Sequence, residues 1–494
     1  MQKKDIILIS PPSRLEVYQS LSGDLAAIEP PVWAGLIAEF LRSKGLNVHI
    51  IDSEAMGLSH EDAAKEVVKY DPELVVFVVY GQQPSASTQC MPGAAKTANF
   101  LKKFSEAPTL VMGTHASALP MRTLQQEPYD FVCQGEGPYT VYELYLYLTG
   151  KIKIEEVSGL WFIEKGLSKS NPVKDKIVDL DIELPRQALD ILDMTKYRAH
   201  NWHCFDNLSS RNSYASLQTS LGCPYKCSFC CINAPFGGAG IRYWSSKNVL
   251  SQIDEMVQKY NIRNIKIPDE MFVLNKNHVI EICDGIIERG YDLNIWAYAR
   301  VDTIKDYYLQ KLKKAGFNWL GIGIESGSKF VRDGVEKGRF DIPEIKAIVS
   351  KIRDHGIYVA ANYIFGLPDD DHDTMQQTLD LAKELNTEWA NFYSAMAYPG
   401  SPLYQEALSK NIATPDLEGG PGWIGYSQHA FNCMPLPTDT LKYTQVLDFR
   451  DKAFNDYFKG ESYLNMIEHK FGREVVDHIN QMTSYDLPRA HKTA

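Results

Sequence analysis

No apolar run in this 494-residue chain approaches the roughly 20 residues that a bilayer crossing requires, and the longest, such as 74–80, stop at strand length. The apolar stretch at 6–9 is too short for a signal h-region and runs into Pro11-Pro12, so a cytoplasmic protein is expected. Positive charge is also scarce. With 51 Lys and Arg against 62 Asp and Glu, the net charge of −11 argues against a surface built to grip nucleic acid or anionic lipid. No low-complexity tract and no repeat of 20–50 residues occurs. Six of the nine cysteines (Cys90, Cys133, Cys204, Cys231, Cys283 and Cys433) have no spacing suited to a disulfide framework. What remains is an ordinary globular composition, 44% hydrophobic and 23% charged, with length enough for two or three domains.

Residues 1–150 alternate strand-like runs (5–10, 47–52, 74–80, 109–112, 131–134) with helical patterns (33–44, 61–69, 88–103, 122–126). That rhythm predicts an α/β domain on a doubly wound parallel sheet, with ligands at the strand carboxyl ends. Gly81-Gln82-Gln83, Gly113-Thr114-His115 and Gly135-Glu136-Gly137 fall at three such ends. Residues 151–212 lack a sustained period and read as a linker subdomain with a hairpin about Lys165-Gly166. The alternation then returns over 213–410 as six βα units. Strands are expected at 215–221, 264–268, 294–300, 319–325, 358–365 and 388–397, which suggests a partial (β/α)6 barrel with its chemistry at the strand C-termini. Residues 411–494 carry helical patterns at 440–457 and 463–469 and read as a helical extension.

The remaining cysteines, Cys223, Cys227 and Cys230, form a CxxxCxxC spacing just past the first barrel strand. Chance would place such a triplet in a chain of this length only about a few times in a thousand. A structural zinc site normally completes four ligands as two close pairs, and here would have to recruit Cys231 or His203. A four-iron cluster accepts three thiolates from one loop and keeps one iron open for chemistry.

Cys223-Pro-Tyr-Lys-Cys227-Ser-Phe229-Cys230 resembles the CxxxCx(aromatic)C loop of the radical S-adenosylmethionine (SAM) superfamily. Agreement extends to Pro268-Asp269-Glu270, Trp296-Ala-Tyr-Ala-Arg300, Gly323-Ile-Glu325-Ser326-Gly327, Phe365-Gly366-Leu367-Pro368 and Pro399-Gly400-Ser401-Pro402-Leu403-Tyr404 at successive strand ends. Together these resemble the branch whose barrel follows a cobalamin-binding domain, over roughly residues 5–410. The resemblance implies a 4Fe-4S cluster on Cys223, Cys227 and Cys230. It implies SAM against Phe229, Glu270, Arg300, Glu325, Ser326 and Gly366, with Arg300 on the SAM carboxylate and Glu270 or Glu325 on its ammonium or ribose. It further implies cobalamin against Gly81, Gln82, Gly113, His115, Gly135 and Glu136. The Asp-x-His-x-x-Gly motif that supplies a cobalt-ligating His in many cobalamin proteins does not occur in residues 1–150, and members of this branch commonly lack it.

By the same resemblance the expected activity is reductive cleavage of SAM and C-methylation of an unactivated carbon in a small molecule. The electron would come from an external one-electron reductant of flavodoxin or ferredoxin type. No acid or base is assigned. A cyclising, oxygenating or rearranging enzyme of the anaerobic cyclase type carries the same cofactor motifs. Methylthiolation is disfavoured, because Cys90 and Cys133 are too few for the extra N-terminal cysteines such enzymes carry and the tail is not basic. A simple iron–sulfur electron carrier would need a fourth cysteine ligand, and Cys231 beside Cys230 is poorly placed to serve the same cluster.

Overall fold

The computed structural model describes residues 3–493 apart from 24, 82–84, 175, 176 and 339. Its first sheet contains β1 (Ile6–Ser10), β2 (Val48–Asp52), β3 (Leu74–Val78), β4 (Thr109–Met112) and β5 (Phe131–Cys133) in the parallel order β2-β1-β3-β4-β5. Both faces are covered, which is why β1 and β3 read as unbroken apolar runs. Side chains alternate between two cores: Ile6, Leu8, Leu74 and Val76 point one way, and Ile7, Ile9, Val75 and Phe77 the other. The strand order reverses between β1 and β3, the position at which such sheets open a crevice for ligands.

The hairpin expected in the linker forms as β6 (Leu160–Glu164) and β7 (Leu167–Ser170), but it belongs to this sheet. β6 pairs antiparallel with β5, and the Trp161 indole donates to the Gln134 side chain at 2.8 Å. Leu160 and Phe162 are buried in the first core, and that burial holds the hairpin on the sheet.

A second sheet of six parallel strands curls into a partial barrel. It runs β8 (Tyr214–Ser216), β11 (Asn264–Ile267), β12 (Asn294–Arg300), β13 (Phe317–Glu325), β14 (Tyr358–Phe365) and β15 (Trp389–Ser394). A short ladder of β9 (Ser220–Leu221) and β10 (Arg242–Tyr243) brackets the cysteine loop. Period-2 alternation decides what lines the lumen: Trp296, Tyr298 and Arg300 from β12, Gly321, Gly323 and Glu325 from β13, and Ala360, Asn362 and Ile364 from β14. Beyond the barrel, helix Tyr443–Phe458 packs on its β14–β15 edge, where the Arg450 guanidinium donates to the Phe392 carbonyl at 2.8 Å. Among the described residues no helix is long and apolar enough to cross a membrane.

Candidate active site

A cavity of about 930 Å³ lies between the two sheets. Its N-terminal wall is built from the carboxyl ends of β1 and β3 (Ser10, Pro11, Val79, Tyr80, Gly81), its opposite wall from the cysteine loop, and its depth from the barrel lumen. The cysteine loop is held by its backbone. The Gly240 N–H donates to the Cys223 carbonyl at 3.0 Å and the Cys230 N–H to the Cys227 carbonyl at 3.1 Å. Ser228 links the loop to two others: its N–H donates to Val335 at 3.2 Å, and its carbonyl accepts from Leu403 at 2.8 Å.

Cys223, Cys227 and Cys230 are free thiols on one wall of this cavity. Among the described residues no three His, Cys, Asp or Glu side chains converge on one point as a single metal ion requires. A cube of four irons spreads its thiolates over separate corners. Three unpaired thiols on one loop with an arginine beside them fit that group.

Of the residues expected at SAM, Phe229, Glu270, Arg300 and Glu325 line the cavity. Glu270 ends the loop after β11, and among the described residues its carboxylate meets no hydrogen-bond donor, so it is available to an ammonium or hydroxyl group. Burial pushes its carboxyl up to about 7, with Lys266 and Lys337 opposing the rise and Asp269 adding to it. Because the folded value exceeds the ordinary carboxylate value, Glu270 adds no instability below about pH 4.5 and destabilises the fold as pH rises through about 7. Glu270→Gln is expected to stabilise the cofactor-free protein by about 1–2 kcal/mol at pH 8, a figure reduced for water in the cavity, and to change nothing at pH 4. Urea unfolding at the two pH values checks this, and an equal effect at both would refute it.

Two residues expected at SAM do not line the cavity. Ser326 does not reach the cavity: its hydroxyl lies 3.2 Å from that of Thr378 and accepts from the Ser328 N–H at 3.1 Å, so it shapes the turn after β13. Gly366, at φ +79°, faces outward against Val446, and a Cβ there would overlap that side chain. Both that backbone angle and the packing on helix Tyr443–Phe458 require glycine here.

Arg300 is not free to make a bidentate pair with a ligand. Its guanidinium is forked onto Asp302 at 3.0 and 3.1 Å, donates to the Lys337 carbonyl, and lies 3.9 Å over the Tyr225 ring. Glu325 adopts φ +66°, a strained conformation for a non-glycine residue, at a register shift between β13 and β14. The strain aims its carboxylate into the cavity, where it pairs with Lys337 at 2.5 Å.

Of the residues expected at cobalamin, Gly81 lines the cavity, and Gln82 lies outside the described residues. The other four stand behind the wall. Gly113 packs against the Val79 carbonyl. His115 lies 3.2 Å from the Thr88 hydroxyl and edge-on to Trp423, and burial lowers it to about 3, so it is neutral. Gly135 exchanges hydrogen bonds with Ser117, and the Glu136 carboxylate is occupied by Arg242 and the Ile177 N–H. Of the described residues expected at cobalamin, the cavity is therefore bordered by Gly81, together with the neighbouring β1 and β3 ends. A wide cavity at the switch point, floored by glycine at β3, fits a corrin there.

Three further features were not visible in sequence: Lys337; a cluster of indoles from Trp202, Trp296 and Trp389 deep in the lumen, near the starts of β12 and β15; and a buried cluster in which Lys266 holds Glu29 at 2.9 Å beside His200. An isolated lysine between Ile265 and Ile267 in a strand was the one available signal.

A family model described as the Radical SAM superfamily matches residues 217–382, and one described as the B12 binding domain matches 20–145. The chain is a radical SAM enzyme with an N-terminal B12-binding domain. Within that family it is 29% identical over 414 residues to an uncharacterized methyltransferase of Pyrococcus horikoshii, covering 83% of this chain and 85% of that one. It is 24% identical over 456 residues to the anaerobic magnesium-protoporphyrin IX monomethyl ester cyclase of Rubrivivax gelatinosus, covering 90% and 77%. Its fold is similar to that of the radical SAM methyltransferase TsrM from Kitasatospora setae, solved with cobalamin and a [4Fe-4S] cluster. The TM-score is 0.66, with 15% identity and coverage of 86% of this chain and 81% of that one.

Proposed function

We propose that the protein methylates an unactivated carbon of a small molecule, using a cluster on Cys223, Cys227 and Cys230, SAM and cobalamin. One observation carries this reading: a single cavity is bordered by the three thiols, by the β1 and β3 ends of the B12-binding domain and by the barrel lumen. When bound, the cluster and SAM supply one-electron hydrogen abstraction and cobalamin supplies a methyl group for transfer. Phe229 packs between Leu367 and Leu403 and keeps water from that side of the thiols. Glu270 accepts from the SAM ammonium. The indoles of Trp202, Trp296 and Trp389, with Tyr298 and Tyr393, line the substrate end as a largely apolar surface that excludes solvent. The electron comes from an external flavodoxin or ferredoxin type donor, and the protein works in the cytoplasm.

The test is anaerobic purification from cells supplied with cobalamin, iron and corrin assays on one sample, and incubation of a small-molecule extract with SAM carrying a deuterated methyl group. Four irons, one corrin and a product heavier by three mass units support the reading. 5′-Deoxyadenosine without any labelled product moves it to the cyclase-type alternative, which the similarity to the Rubrivivax cyclase over 90% of this chain favours. Four irons without corrin exclude methyl transfer.

A further inference from the structure

Arg300 and Lys337 form a buried cationic pair beside one of the three thiols on the cavity wall. The Arg300 Nη1 lies 3.6 Å from the Cys227 Sγ. Asp302, the Lys337 carbonyl and the Tyr225 ring fix the guanidinium in that position. The Glu336 carbonyl stands 3.7 Å from the same sulfur, and the next residue, Lys337, turns its ammonium inward to Glu325.

The chain is bent to achieve this. Glu336 adopts φ +54° and Gly338 φ +146°, and a Cβ on Gly338 would press on the Arg300 guanidinium at 2.9 Å. Gly323, opposite Arg300 on the neighbouring strand, vacates the space that the Glu325–Lys337 pair fills. Backbone strain of this kind persists only where surrounding structure imposes it, and it collects at functional sites. Arg300 is 5% exposed and Lys337 9%, so water screens neither charge effectively.

Resting on the proposed cluster at Cys223, Cys227 and Cys230, we infer that Arg300 and Lys337 set the reduction potential of that cluster through the Cys227 sulfur, and that Arg300 is not the partner of the SAM carboxylate. Reduction takes one electron from the external donor and adds one negative charge to a group that three thiolates already make anionic. A guanidinium N–H on a ligand sulfur and a nearby ammonium stabilise that added charge, and hydrogen bonds to the sulfurs and local charge are established determinants of cluster potential. The same two cations therefore make the cluster easier to reduce. Both are positioning residues that act through Cys227 and Glu325.

The experiment is a redox titration of the iron-loaded protein without SAM, followed by electron paramagnetic resonance, with SAM binding measured separately by equilibrium dialysis. Arg300→Gln and Lys337→Gln are each expected to lower the reduced-to-oxidised ratio at fixed potential at least about tenfold, a shift of about 59 mV to more negative potential. Asp302→Asn, which strips Arg300 of its counter-charge, is expected to shift the ratio about threefold the other way. SAM affinity of Arg300→Gln should stay within about threefold of the unsubstituted protein. Unchanged potentials in Arg300→Gln and Lys337→Gln overturn the inference. So does a tenfold loss of SAM affinity at unchanged potential, which would return Arg300 to the SAM carboxylate. If Arg300→Gln takes up no iron, Lys337→Gln and Asp302→Asn decide by the opposite signs of their shifts. An unsubstituted protein that takes up no iron refutes the cluster reading and this inference with it, which separates that failure from the others.

Discussion

Alanine at Cys223, Cys227 or Cys230 is expected to leave the anaerobically purified protein without its broad visible absorption and without SAM cleavage, whereas Cys231→Ala keeps most of both. The three thiols line one cavity wall from a loop whose backbone is tied to Gly240, Val335 and Leu403. On the proposed ligand set each would supply one corner of the cluster, and a cluster with one iron already lacking a protein ligand would tolerate no second loss. Cys231 borders the same space but is 3% exposed, packed close to Gly400 and adjacent in sequence to Cys230, which places it poorly to serve the same cluster. The fold itself should survive all four changes, because Cys→Ala removes one small atom at the edge of a cavity; circular-dichroism melts are expected to agree with the unsubstituted protein. Iron assay alongside the spectra decides the matter. Loss of iron in Cys231→Ala equal to that in the other three would overturn this ligand set.

Features encoded locally were legible in the chain. β1 and β3 show as continuous apolar runs because both sheet faces are covered, and the six barrel strands show as apolar segments separated by helical stretches. The cysteine loop was legible because its chemistry needs three side chains within eight residues. Long-range pairing was not. The 160–170 hairpin joins the first sheet only through its partner β5, and no local pattern names that partner. Glu136 reads as a ligand-facing strand-end residue until Arg242, 106 positions away, is placed on it by the fold. Ser326 and Gly366 follow the same logic: a polar or small residue at a strand end fits a ligand or a tight turn equally well, and the sequence does not name the neighbours Thr378 and Val446. Positive backbone angles at Glu325 and Glu336 leave no trace in residue type.

Breaking the pair formed by Glu29 and Lys266, 237 positions apart, is expected to cost the fold more than any change at the cysteine loop or at Glu270. Glu29 lies in the segment just before helix Val32–Ser43 of the first domain and reaches Lys266 on β11 inside the barrel, where the two side chains are 3% and 4% exposed. Burial alone would raise the Glu29 carboxyl, but Lys266 and His200 hold it down at about 2. Its contribution is therefore complete above the ordinary carboxylate range and is lost as pH falls through about 2. Lys266→Met leaves the carboxylate buried without its ammonium, beside His200, Ser216 and Tyr214, and is expected to destabilise the protein by about 3–5 kcal/mol at pH 7. Glu29→Gln should also destabilise, because it takes the carboxylate away from an ammonium that is 4% exposed. The double substitution Glu29→Gln/Lys266→Met removes both charges and should recover most of the loss, since an apolar replacement of a buried pair is often neutral. Unfolding midpoints in urea, read for the domains separately because the chain is not expected to unfold in one step, provide the measurement. Additive losses in the double variant would mean that the two residues act independently. Recovery would instead establish that the two residues are energetically coupled across the contact between the first domain and the barrel.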